Sequence, residues 1–215
     1  MDKILLFILS SIFLTAFALN PEKGFGSGAI DFHEVEREVV KELNLARTDP
    51  RYYVSHLKEM KRYFYGKEFR RPGEIPVRTE EGVTALVEAI RFLEKAKPVL
   101  ALRFSQGMSR GARDYVEVQG RSGAVGHGSI DGKRTWERVN LYGKWERMIG
   151  ENLSYGYSHA RDIIISLIID DGVPGRGHRK NIFNPNFQVV GVACGSHAIY
   201  GTMCVILFAG GYLEK

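Results

Sequence analysis

Through the first 120 residues after the N-terminal run, apolar positions recur every three to four residues; from about residue 187 they merge into continuous runs. Val35, Val39, Leu43 and Ala46 fall on one face of a helix predicted over Asp31 to Arg47. Asp31 followed by Glu34 has the form of a capping box. After "TDP" (Thr48 to Pro50), Asp49 is expected to cap a short second helix with Pro50 at its first position. Its stripe is Tyr53, Leu57, Met60 and Phe64. Residues 65–78, with two prolines, read as a loop. Thr79 is expected to cap a third helix bearing Val83, Leu86, Ile90 and Leu93 and stopping near Pro98. Ser105 is expected to cap a fourth, with Met108, Ala112, Tyr115 and Val116 inward. A glycine-rich loop, "GRSGAVGHGS", a helical piece near Thr135 to Tyr142, and "GENLSYG", read as a loop running into a strand, come next. Ser158 then caps a last helix with Ala160, Ile163, Ile164, Leu167 and Ile168 inward. The chain closes on "FQVVGVAC" and "CVILFAGGY", joined by the turn-like "GSHAIYGTM" as a hairpin. Helices early and strands late predict an α+β fold, an antiparallel sheet covered by helices.

Composition changes this picture at the N-terminus first. Lys3, the apolar run Ile4 to Phe17 broken by Ser10, Ser11 and Thr15, and Ala16-Phe17-Ala18 read as a secretory signal peptide over residues 1–18. The run is shorter than the roughly 20 residues a spanning helix needs. Residues 19–30 read as a flexible lead, and 31–215 as one domain with room for a real core. The two cysteines, Cys194 and Cys204, flank the hairpin turn. In an oxidising compartment they are expected to pair; two buried thiols are the alternative. The net charge is +5 and the pI about 9.2. Basic clusters at Lys58/Lys61/Arg62, Lys67/Arg70/Arg71 and Arg176/Arg179/Lys180 suit anionic surfaces such as cell walls or lipid headgroups. No nucleic-acid motif accompanies them, and a monomer is expected.

Candidate chemistry sits on five residues: His127 in "GHGS", Glu151 in "GENL", Asp170 and Asp171 at the end of the last helix, and His178 in "GRGHRKNIFNPNF". Asp170 and Asp171 follow Leu167 by three and four residues, so both fall near the apolar stripe, where an acid needs a partner. His127 and His178 could hold Zn²⁺ through ring nitrogens, with carboxylates behind them. Glu151 and Asp170 as the acid and base of a glycosidase is another reading. No HExxH, CxxC or G-x-S-x-G occurs, and a Ser129/His127 pairing is too common to specify a triad. His33, His56, His159 and His197 read as ordinary structural histidines.

Taken in order, "NLAR" (Asn44 to Arg47), "GHGS", "GENL", "GHRKNIFNPNF" and "VVGVACG" resemble the CAP superfamily. This is the cysteine-rich secretory protein, antigen 5 and plant pathogenesis-related class 1 group, also called the SCP domain. The resemblance spans roughly residues 33–212, and the "GHRKNIFNPNF" form is similar to that of bacterial members and some protists. It implies a three-layer α-β-α sandwich with an antiparallel central sheet. It implies a cleft lined by His127, Glu151, His178 and a second acid, Asp170 in preference to Asp171. It also implies a divalent cation, often zinc, on His127 and His178. An Asp stands where the family more often has Glu, and no cysteine-rich C-terminal extension follows. The resemblance further implies that Gly177 turns the backbone before His178 and that Ile182 and Phe183 anchor the loop. Asn184-Pro185-Asn186 would then lead into a strand beginning near Phe187. Two functions follow from it: a secreted binding module for a small apolar ligand (sterol or fatty acid) or a cell-surface target, or a metal-assisted peptide or ester hydrolase with Glu151 as base. A purely structural tetrad is the third reading.

Overall fold

The computed structural model describes residues 4–5, 30–128 and 131–215. The leader and lead assigned to residues 1–18 and 19–30 lie outside the described residues, apart from Ile4, Leu5 and Ile30. In chain order the elements are β1 (Ile4–Leu5), α1 (Phe32–Thr48), α2 (Tyr52–Met60), β2 (Phe64–Tyr65), β3 (Glu68–Phe69), β4 (Val77–Arg78) and α3 (Val83–Lys95). Then come β5 (Arg103–Phe104), α4 (Gln106–Ser122), α5 (Thr135–Tyr142), β6 (Gly143–Trp145), β7 (Met148–Tyr155), α6 (Ala160–Ile169), α7 (Gly177–Ile182), β8 (Val189–His197), β9 (Gly201–Ala209) and β10 (Tyr212–Glu214).

The continuous apolar runs have a simple cause: the sheet they form is covered on both faces. Its order is β1-β7-β9-β8-β5, with β7, β9 and β8 antiparallel and the short edge strands β1 and β5 parallel to their neighbours. Side chains alternate between two cores. Val190, Val192, Cys194, Cys204, Ile206 and Phe208 pack with α1, α3 and α6. Val189, Ala193, Met203, Val205, Leu207 and Ala209 pack with α4 and α5. The fold is therefore α+β in three layers, helix, sheet and helix. Gly191 lets α4 lie directly on β8, since a Cβ there would come within 2.5 Å of Met108. Where β5 ends, side chains take over the edge of β8. Ser109 Oγ accepts from Val192 N at 3.0 Å and Glu36 from Cys194 N at 2.8 Å. Cys194 and Cys204 face each other in register and are disulfide-bonded.

Several local expectations need correction. Asp31 and Ser105 do cap α1 and α4. The other three proposed side-chain caps fail: α2 follows Arg51, α3 follows Gly82 and α6 follows His159, none with a side-chain cap bond. At α3 the reason is visible. Asp171, distant in sequence, accepts from Glu80 N at 2.6 Å and Glu81 N at 2.9 Å, while Thr79 hydroxyl bonds Lys67 O. Residues 65–78 are not a plain loop, because β2, β3 and β4 form a small antiparallel sheet there. "GENLSYG" is strand through Tyr155, so Glu151 sits mid-strand. A further helix, α7, follows α6 and carries His178 in its first turn.

Candidate functional site

β7 positions one half of the site. Glu151 pairs in register with Leu207 and points toward the α4–α5 layer, on the same face as buried Ile149 and Leu153. Its side chain is 2% exposed. Oε1 meets His127 Nδ1 at 2.8 Å, and Oε2 accepts from the Arg138 guanidinium at 2.7 Å. Arg138, on α5, is itself buried and stacks 4.0 Å from the centre of the Tyr115 ring. Its Nε has no partner among the described residues. The turn that carries His127 is pinned by a small polar cluster. Gln119 Nε2 donates to Gly126 O at 2.8 Å, Gly126 N donates to Tyr155 hydroxyl at 3.1 Å, and Tyr115 hydroxyl also donates to Gly126 O. Burial pushes both hydroxyls well above the usual tyrosine range, with the Glu151 charge adding to the effect, so both stay neutral.

The other half comes from the opposite layer. Asp170 ends α6 in the left-handed region, φ 56°, a conformation Asp tolerates better than most residues. Its carboxylate meets His178 Nδ1 at 2.6 Å and accepts from the backbone N–H of His178 at 2.9 Å and of Arg179 at 3.3 Å. The turn into α7 is made by Gly175 and Arg176, with φ 78° and 54°, rather than by Gly177. The unusual backbone of Arg176 is held by its side chain, which donates to Glu81 at 2.6 and 2.7 Å, to Glu88 at 2.6 Å and to Asp170 O at 2.7 Å. Arg179 donates to Glu88 at 2.8 Å and to Ile169 O at 3.0 Å. α7 is also tied to β7. Asn152 Nδ2 donates to His178 O at 3.1 Å, and Asn181 Nδ2 donates to Asn152 Oδ1 at 2.8 Å. Adjacent residues of one strand, Glu151 and Asn152, thus hold opposite halves of the site.

The two imidazoles lie 6.4 Å apart, ring centre to ring centre, with planes inclined by 33°. Each spends Nδ1 on a buried carboxylate, and neither Nε2 has a hydrogen bond to a described residue. The side chains of His127 and His178 are 17% and 12% exposed, so a ligand can reach them. This donor set fits a divalent cation at two points, with a carboxylate behind each imidazole fixing its tautomer. Among the described residues no group of three or more His, Cys, Asp or Glu is arranged to hold a metal. A cation would therefore take two nitrogens from the protein and its remaining ligands from water or a bound molecule.

Asp171, the second choice for the cleft acid, accepts from Glu80 N and Glu81 N in the segment leading into α3 and has no hydrogen bond to either histidine among the described residues. Ile182 is fully buried, and Phe183 packs its ring 5.1 Å from Phe92. The sequence reading passed over Arg138, Asn152 and Asn181, and it read Arg176 and Arg179 as part of a basic cluster for anionic surfaces, whereas both are turned inward onto Glu81 and Glu88. Asn152 and Asn181 lie inside "GENL" and "GHRKN", so position within a motif was their one available signal. Beside α7, a hollow of about 690 Å³ is lined by Phe92, Val173, Pro174, Arg176 and Lys180, among others.

The profile of the CAP, or cysteine-rich secretory protein, family matches residues 65–208. Among solved structures, the chain is similar to an extracellular protein containing an SCP domain from Bacillus anthracis, at 19% identity, with 58% of this chain and 37% of that one covered and a TM-score of 0.41. An outer surface protein from Borrelia burgdorferi is 14% identical over 79% of this chain and 96% of that one, with a TM-score of 0.44. A cysteine-rich secretory protein from Staphylococcus aureus is 15% identical over 66% and 43%, with a TM-score of 0.37. The match spans less than half the length of the Bacillus and Staphylococcus proteins. No curated protein matches the chain.

Proposed function

Because this chain belongs to the cysteine-rich secretory protein family, we propose that it is a secreted binding module whose two-histidine cleft holds a ligand rather than turning one over. The observation that carries this reading is the commitment of both acids. Glu151 and Asp170 are buried, and every carboxylate oxygen already meets an imidazole, guanidinium or backbone N–H donor. Such groups orient imidazoles; neither is placed to take a proton from a water molecule. Secretion is supported by the leader-like N-terminus and by the disulfide. No described helix is long and apolar enough to cross a membrane.

A small apolar ligand, a fatty acid or sterol, would lie in the hollow beside α7, which adjoins the cleft through Arg176 and Arg179 but is not itself lined by His127, Glu151, Asp170 or His178. Its volume lies in the range of small-molecule sites, which run to roughly 300–1,000 Å³. Phe92, Val173 and Pro174 supply apolar lining, and the rest of the wall is charged, with Glu81, Glu88, Arg176 and Arg179 paired among themselves and Lys180 exposed. The test is mass spectrometry of lipids co-purified with the secreted protein, followed by saturable binding of labelled fatty acid and sterol. Binding should fall in Val173→Asp. Absence of both co-purified and saturable lipid contradicts the apolar-ligand reading.

A hydrolase is the second reading, and the Nε2 atoms of His127 and His178, which have no hydrogen bond among the described residues, are what favour it. A divalent cation held there would act as a Lewis acid toward a peptide or ester carbonyl. Chelator-sensitive hydrolysis abolished by His178→Gln would establish it. Inertness across broad peptide and ester panels would remove it.

A further inference from the structure

Between α2 and α3 the chain departs from its helical layer to build the small sheet β2–β3–β4. We propose that this sheet docks the protein on anionic phospholipid bilayers. Charge is the first argument. Lys58 to Arg78 contains seven Lys or Arg and three Glu, so this short segment carries most of the chain's net charge of +5. The three acids are already spent on neighbours: Glu59 pairs with Arg62, Glu68 with Arg70, and Glu74 with Arg71. Lys61, Lys67 and Arg78 are exposed and have no carboxylate partner among the described residues.

Exposed apolar surface in the same segment is the second argument, and it selects the partner. The cross-strand row Phe64, Phe69, Val77 shares one face, and Phe64 packs on the body of the protein. The row Tyr65, Glu68, Arg78 therefore lies on the other face. Tyr65 is 62% exposed there, with the Arg70 guanidinium 5.6 Å from its ring centre. Ile75, between β3 and β4, is also exposed, at 49%. An anionic polysaccharide would meet the cations but gain nothing from a bare Ile. A bilayer gains from both, since tyrosine and arginine settle at headgroup level and small apolar tips enter just below it.

The inference is independent of the cleft, and vesicle sedimentation with the secreted protein tests it without involving the histidines. The protein is expected to bind phosphatidylcholine vesicles only when phosphatidylglycerol is included, and to release at high salt. Lys61→Glu/Lys67→Glu/Arg78→Glu should weaken binding by at least ~10-fold. Tyr65→Ser/Ile75→Ser, with charge unchanged, should weaken it several-fold. Arg110→Glu/Arg121→Glu/Lys144→Glu, matched in charge but on α4 and β6 across the central sheet, should bind as the parent does. Three results would each overturn the proposal. One is no binding to the anionic vesicles. Another is equal loss in that charge-matched variant. The third is unchanged binding in Tyr65→Ser/Ile75→Ser, which would assign the patch to anionic polymers. Circular dichroism of each variant confirms that it is folded; if the Glu triple is not, the corresponding Gln triple replaces it.

Discussion

At the residue scale, the site depends on buried charges that satisfy one another. Arg138 and Glu151 are 1% and 2% exposed, and each is the other's ionic partner. Removing one member of such a pair strands the other, at a cost of about 3–5 kcal/mol, whereas removing both costs much less. Arg138→Met should therefore destabilise the protein strongly in urea melts, and Arg138→Met/Glu151→Gln should recover much of the loss. Additive losses would show that the two do not act as a pair. A second prediction concerns acid. Its hydrogen bonds from Arg176 hold the Glu81 carboxyl below the usual carboxylate range. A depressed folded-state value contributes stability that is fully present above the ordinary pKa, 4.5, and is lost as pH falls through the lower folded value. Glu81→Gln should flatten the acid limb of stability below about pH 4.5, modestly because the side chain is a third exposed. An acid limb identical to that of the parent would contradict this. The residues of the cleft were legible because glycines and motifs marked them. Arg138 was not, because an arginine on a short amphipathic helix looks the same whether it faces water or a buried acid.

At the element scale, α7 is placed by clamps from three sides: Asp170 from α6, Asn152 from β7, and Arg47 from α1. Arg47 is fully buried and donates to the carbonyls of Leu100, Ile182, Asn184 and Phe187 at 2.9, 2.5, 3.1 and 3.2 Å. Burial pulls its guanidinium down to about 10, which still leaves it charged at neutral pH. Arg47→Met would orphan these carbonyls, two of them buried (Ile182 and Phe187), and should cost about 2–6 kcal/mol, each buried unsatisfied group costing roughly 1–3. Amide exchange should rise at residues 182–187 before it rises in β8 and β9; uniform acceleration across the sheet would refute this. Most helices were readable because their apolar stripes have a strong period. β7 was read as partly loop because Gly150, Glu151, Asn152 and Ser154 interrupt its apolar pattern. Those are the positions where the strand gives up packing for the site: Gly150 makes room for Phe187, and Glu151 and Asn152 reach the two halves. β2, β3 and β4 have two residues each, too few to show an alternation.

At the scale of the whole molecule, the cleft is a property of all three layers. His127 and Glu151 belong with α4 and α5, His178 and Asp170 belong with α6 and α7, and the sheet between them carries the link. The α+β class and the hairpin closed by Cys194 and Cys204 followed from the order of periodicities and the two cysteines. The meeting of His127 with His178 did not, since nothing local encodes a contact across a sheet; two glycine-flanked histidines suggested a shared ion, and the resemblance of the motifs placed both in one cleft. The most direct test of this convergence is calorimetric titration of the metal-free protein with Zn²⁺. One ion should bind per chain. His127→Gln and His178→Gln should each abolish that binding, while Asp171→Asn, which alters only the bonds to Glu80 and Glu81 ahead of α3, should preserve it. One ion bound with undiminished affinity in both histidine variants would contradict the account.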